Sequence, residues 1–254
     1  IESIQLTKGT GSVANGFESI AGQINVELKK PFNTDPLLAN VYVNSMGKTD
    51  VNLNYVQKIN KDFSTGLFIH GDFLSNVVDE NKDGFRDLPT GGQLAITNRY
   101  EFRSTKGVSS EFGFYLLNDK KVGGQNKFVP SLHKGTMAYY GLGINTERYE
   151  LYGKIGYVFP QSKYKSVGLQ LSTFNHHQDA YFGLTRYDGT QHNIYANLIY
   201  QSIIGSTIHK FRTGISFVSD NYDESIRGLN YARVETVPGA FFEYTFTPNT
   251  KFSA

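Results

Sequence analysis

The run Asp79-Glu80-Asn81-Lys82-Asp83-Gly84-Phe85-Arg86-Asp87 places oxygen-bearing side chains at alternate positions around a glycine. Asp79, Asn81 and Asp83 can converge on one hard cation where Gly84 permits a sharp turn. Phe85 then offers its carbonyl and Asp87 a further carboxylate, the donor set of a calcium loop. The position of such a loop's bidentate Glu is occupied by Thr90, and no helical pattern flanks the run. An acidic, glycine-turned surface loop is therefore the competing reading. A second group, His176, His177 and Asp179, offers imidazole and carboxylate to a substrate or its metal. Adjacent histidines on a strand point to opposite faces, so both could reach one ion only where the strand has ended. Exposed loop histidines are the alternative. His133 lies in another connection and is a further candidate contact. Tyr187, close to Tyr181-Phe182-Gly183 and Gln191, could stack on a ligand or belong to an interfacial aromatic girdle.

Catalysis finds no residues to carry it. Gly-x-Ser-x-Gly and His-Glu-x-x-His are absent, and Gly9-Thr10-Gly11-Ser12 lacks the Lys-Ser/Thr ending and following helix of a phosphate loop. No enzyme is expected. The absence of cysteine excludes disulfides and thiolate metal sites. A net charge of +2, with 25 basic residues scattered along the chain, argues against a nucleic-acid partner.

The elements that must hold these groups are strands. From Asp35 onward one unit repeats: a strand with period-two alternation, then a connection. Val51, Leu53 and Tyr55 alternate with Asn52 and Asn54; Leu94, Ile96, Tyr100 and Phe102 alternate with Thr97, Arg99, Glu101 and Arg103. Arg99, Glu101 and Arg103 on one face would be costly in a dry core and comfortable in a wet lumen. Connections also alternate. Tight turns at Asn60-Lys61, 104–107, 160–163, Gly205-Ser206 and Pro248-Asn249 separate long excursions expected at roughly 77–91, 120–147, 178–189 and 221–232. Short turns at one rim and long loops at the other are the plan of outer-membrane barrels. Counting 136–146 as a crossing would break that alternation, so it is expected inside the third long loop as a β-like arm. Ten crossings follow, at roughly 36–46, 49–59, 62–76, 92–103, 108–119, 148–159, 164–177, 190–203, 207–220 and 233–247. Seventeen Tyr, 19 Phe and 26 Gly, with no apolar run near the ~20 residues of a spanning helix, suit a strand-built membrane protein.

The first thirty residues are the most specific. Ile4 and Leu6 share one face of a strand, Lys8-Gly9-Thr10-Gly11 turns the chain, and Ala21-Gly22 opens a second strand with Ile24, Val26 and Leu28 on one face. Ile4, Lys8-Gly9, Gly16, Ala21-Gly22, Ile24-Asn25 and Lys29-Lys30-Pro31 together resemble the exit of the plug domain of TonB-dependent outer-membrane receptors, of the kind found in gliding and gut bacteria. Thr10 and Asn15-Gly16 stand where that family usually has Pro and Tyr-Gly. The Asp-x-Asn-x-Asp-Gly-Phe run after the third strand is similar to a loop in those receptors.

The resemblance implies an all-β, membrane-spanning antiparallel β-barrel, with residues 1–31 as the C-terminal part of an internal plug and 32–254 as the N-terminal portion of the barrel, about 10 of 22 strands. The chain is then a fragment, and the segment that contacts TonB would precede it. Lys8, Gly9, Gly16, Gly22 and Asn25 form the plug signature. Lys8 would be one half of a charge lock whose carboxylate lies beyond Ala254, or else an exposed turn lysine. The implied function is TonB-dependent import of a scarce nutrient, a ferric siderophore, cobalamin or other metal chelate, through the outer membrane of a Gram-negative bacterium. The implied partners are outer-membrane lipid, TonB and the small-molecule cargo, with Ca²⁺ as the one candidate cofactor. A SusC-like importer of oligosaccharide or peptide, a passive barrel and a secreted β-sandwich are the alternatives.

Overall fold

The structure, a computed structural model, describes residues 1–16 and 21–248. The stretch 17–20 of the N-terminal turn, and Asn249 of the last expected turn, lie outside the described residues. The chain is all-β: a two-stranded N-terminal sheet and an antiparallel sheet of eleven strands that does not close.

In the small sheet β1 (Ser3–Lys8) pairs with β2 (Gly22–Glu27), Ser3 opposite Glu27 and Lys8 opposite Gly22. Ile4 faces Val26 and Leu6 faces Ile24, the register that puts the apolar positions on one side. Between the strands a 3-10 turn, Val13–Asn15, is capped by Ser12, whose hydroxyl accepts from the Ala14 N–H at 3.3 Å. A second 3-10 turn, Pro31–Asn33, leads into the main sheet.

The main sheet is a meander of nearest neighbours. Its strands are β3 (Leu37–Val43), β4 (Thr49–Lys58), β5 (Phe63–Leu74), β6 (Thr90–Arg103), β7 (Val108–Gly124), β8 (Gly141–Val158), β9 (Ser166–Phe182), β10 (Thr185–Ile204) and β11 (Ser206–Ile226). β13 (Arg233–Phe246) lies against β11, whose tip also carries the two-residue β12 (Leu229–Asn230). The ten long strands fall where the ten crossings are expected.

Three connections differ from expectation. Residues 141–146 are not an arm inside a loop: they are the first part of β8, paired with β7 through Val122 opposite Gly143 and with β9 through Asn145 opposite Asp179. The third loop is accordingly 125–140. The excursion expected at 178–189 is a hairpin closed by Gly183-Leu184, and that at 221–232 is strand on both sides of Arg227-Gly228. Around the last two of these turns both faces carry polar side chains, so the period-two apolar signal fades although the ladder continues.

Within the sheet the alternation is clean. Leu53, Ile69, Ile96, Leu116 and Tyr149 stand opposite one another from β4 to β8, and Ile155, Leu169, Leu198 and Ile215 from β8 to β11. Large apolar residues on this face are exposed, among them Tyr149, Ile155, Leu151 at 61% and Ile215 at 60%. The other face carries Asn52, His70, Thr97, Arg99, Gln170, Asn197 and Asp220. Against it lies the N-terminal segment, which touches β4, β5 and β6 through Pro31–Asn33 and β11 and β13 through Val13–Asn15. The sheet bends round this segment, so the polar face is concave and the apolar face convex. Among the described residues no helix is long and apolar enough to cross a membrane.

Candidate functional site

The concave face grips the N-terminal segment at two places. At the first, Arg99 on β6 donates to the carbonyls of Leu28 at 3.1 Å and Lys29 at 3.3 Å, and pairs with Glu111 on β7. Two residues along β6, Glu101 accepts from the Phe32 N–H at 3.5 Å and from the Arg103 guanidinium, which also lies 4.8 Å over the Phe32 ring. Lys154 on β8 approaches Glu111 at 3.4 Å. Arg99, Glu101 and Glu111 are only 4%, 6% and 7% exposed. Burial of three charges is tolerable because each is paired and hydrogen-bonded; any one left alone would carry a desolvation cost of several kcal/mol. The sequence pattern marks Arg99, Glu101 and Arg103 as inward and wet. They are inward, but Leu28–Phe32 cover Arg99 and Glu101, and the missed signal is the match of Arg99 to the Leu28 and Lys29 carbonyls and of Glu101 to the Phe32 N–H.

The second grip is lighter. Asn197 on β10, 1% exposed, donates to the Ala14 carbonyl at 2.9 Å and to the Tyr195 hydroxyl at 3.0 Å, and Ser12 donates to Glu243 on β13 at 2.5 Å. Lys8 makes no ion pair among the described residues. Gly9 and Gly16 adopt the left-handed φ values of 86° and 116° that their turns require. Gly22 brings its backbone against Thr7, and Asn25 hydrogen-bonds across the hairpin to Gln5.

Between the Val13–Gly16 turn and β9 to β13 is a cavity of about 720 Å³. Asn15, Ser172, Asn193, Tyr195, Asp220, Glu235 and Phe241 border it. Above it runs a chain of fixed polar groups. Gln191 donates to Asp220 at 2.7 Å and to Tyr222 at 2.9 Å, Asn193 donates to Asp220 at 2.9 Å, and Tyr187 donates to Glu224 at 3.0 Å. Burial, then the bond to Glu224, push the Tyr187 phenol up, which keeps it a donor. Arg233 pairs with Glu224 at 2.6 Å and Glu235 at 2.9 Å and lies 3.7 Å over the Tyr222 ring.

The remaining candidates separate. β9 continues to Phe182, so His176 points to the concave face and His177 to the convex one. His177 meets Thr190 at 3.0 Å and stands 3.7 Å from Asp188; Asp179, on the same face, stands 3.7 Å from Lys134. His133 accepts from the Val129 N–H at 3.0 Å and packs edge-on against Tyr139. Tyr187 belongs to the concave network above the cavity, so His133, His176, His177, Asp179 and Tyr187 do not form one site.

In the acidic loop the side-chain oxygens turn onto amides of the chain itself. Asp79 accepts from Asp83 and Gly84, both at 3.1 Å, and from Asn126; Asn81 accepts from Asp83 at 3.1 Å, Asp83 from Phe85 at 2.8 Å, and Asp87 from Glu80 at 2.7 Å. Among the described residues no three His, Asp or Glu side chains gather as a metal site. The candidate donors Asp79, Asn81, Asp83 and Asp87 thus lie within one loop that holds its shape by Asx turns. It docks on the next long loop through Arg86, which donates to the Phe128 carbonyl at 2.6 Å and also to Thr90 at the start of β6 at 2.8 Å. Burial pulls the Arg86 guanidinium below its usual value without discharging it. No protein-family model, no curated protein and no solved structure matches this chain, so its functional reading rests on the two grips, the cavity and the division of the faces.

Proposed function

We propose that this chain is part of a plugged β-barrel of a Gram-negative outer membrane that imports a scarce nutrient with energy delivered through TonB. Residues 1–31 are the exit of the plug, and the ten long strands are the adjoining barrel wall. The observation that carries this reading is the inversion of the sheet. Below the strand extensions its convex face is largely apolar and its concave face largely polar, and the concave face is occupied by the chain's own N-terminal segment. A soluble sandwich would bury the first face and wet the second. On β8 the apolar side runs from Tyr149 to Tyr157, nine residues. That is the length of a tilted strand crossing hydrocarbon. Beyond it β7 to β11 continue as a polar extension, as outer-membrane barrels do on their outer side. A passive pore would leave the lumen open, whereas here Arg99 and Glu101 clamp a segment into it.

The test uses the full-length protein in its native host. It is expected in the outer-membrane fraction, soluble only with detergent, and slower on gels after boiling. Cargo uptake is expected to collapse when TonB is deleted. A protein soluble without detergent would sink the barrel; uptake indifferent to TonB would sink the energised step.

A further inference from the structure

From the cavity beside the Val13–Gly16 turn we infer that the cargo is a neutral, hydroxyl-rich molecule, an oligosaccharide, and not an anionic metal chelate. The inference deepens the importer reading and rests on it. Among the described residues no Lys, Arg or His borders the cavity, while Asp220 and Glu235 do. Arg233, paired with the bordering Glu235, is also held by Glu224 and stacked on Tyr222. An anionic chelate entering here would meet two carboxylates and no free cation, an arrangement that repels it.

The groups that remain open suit vicinal hydroxyls. Asp220 takes both Gln191 and Asn193 on Oδ1, which fixes the carboxylate and leaves Oδ2 as an oriented acceptor. Tyr195 accepts from Asn197, so its own hydroxyl proton is available to donate. Asn193 spends its amide N–H on Asp220 and keeps its carbonyl oxygen. Fixed acceptors alternating with a fixed donor match a ring whose every hydroxyl both gives and accepts a proton. Phe241 adds a surface for the C–H face of such a ring. A Cβ on Gly214 would fall 2.6 Å from the Phe241 ring edge, so the missing side chain lets the ring lie flat on the wall as a platform. The volume of about 720 Å³ lies within the range of small-ligand sites.

The experiment takes detergent-purified full-length protein and screens it on an array of neutral and acidic oligosaccharides. The strongest neutral binder and a ferric tris-catecholate are then titrated calorimetrically. Binding of a neutral oligosaccharide is expected, weakened at least tenfold by Asp220→Ala and by Phe241→Ala, less by Asp220→Asn, and unchanged by Asn175→Ala on the convex face. Heat-modifiable migration checks that each variant is folded. The inference is overturned if no neutral oligosaccharide binds, if only acidic glycans or the ferric chelate bind, or if folded Asp220 and Phe241 variants bind as the parent does. A heat-modifiable outer-membrane protein that ignores neutral sugars refutes the cargo and leaves the importer. A protein soluble without detergent that binds them does the reverse.

Discussion

The two grips on the N-terminal segment use different chemistry. At β6 a buried arginine and two buried carboxylates hold Leu28–Phe32, mostly through backbone atoms. At β10 and β13 one amide and one carboxylate hold Ser12 and Ala14. A neutral hydrogen bond contributes about 1 kcal/mol net, while removing one member of a buried ion pair costs about 3–5 kcal/mol. The segment is thus anchored where it joins the wall and only pinned at its far turn. Displacement should begin at Ser12–Asn15 and stop at Leu28.

That contrast can be broken from the strong side first. Arg99→Ala leaves Glu111 with only the half-exposed Lys154 at 3.4 Å and strips the Leu28 and Lys29 carbonyls of their donor; a loss of about 3 kcal/mol is expected in urea unfolding of the detergent-solubilised full-length protein. Standing conductance in planar bilayers should accompany it. Replacing the pair together, Arg99→Met with Glu111→Leu, should restore most of the unfolding midpoint, since no lone charge remains. Asn197→Ala should cost about 1–2 kcal/mol, because it leaves the Ala14 carbonyl buried without its donor, and should raise protease cutting near residue 14 without opening the pore. Should Asn197→Ala conduct as strongly as Arg99→Ala, the ranking of the two grips is wrong. The smallest effect is expected from a chelator: cleavage within 77–91 should not change with EDTA, as Asp79 and Asp83 are satisfied by amides. Protection that disappears with EDTA would restore a cation to that loop.

What could be read from the sequence follows the range of each interaction. The ten strands and the faces of Leu53, Ile69, Ile96 and Arg99 were legible because alternation is local and survives without knowledge of neighbours. The hairpin at Gly183-Leu184 was not, since Asp179, Asp188, Thr190 and Gln191 leave neither face apolar. Gly141–Thr146 went astray for a related reason: a rule about loop alternation outweighed a strand pattern that was present in the residues. The clamp was half legible. Arg99, Glu101 and Arg103 announce an inward charged row, but what covers it comes from some seventy residues away, at separations of 71 and 69 for Arg99–Leu28 and Glu101–Phe32. Lys8, singled out for its charge, makes no ion pair among the described residues, and the neutral Asn197 does more to hold the segment.

The register of the small hairpin decides how it would yield to tension. Ser3 lies opposite Glu27, and the Glu2 N–H donates to the Glu27 carbonyl at 2.7 Å, so the N-terminal end of β1 and the anchored end of β2 are at the same end of the ladder. A pull on Ile1 against the fixed Leu28 therefore loads one cross-strand pair at a time, as a zipper opens, and never all six in parallel, as a lap joint would. Such a hairpin gives way at low force and transmits little of it to the sheet: on the proposed importer reading it would act as a mechanical fuse between the pulled segment and the wall.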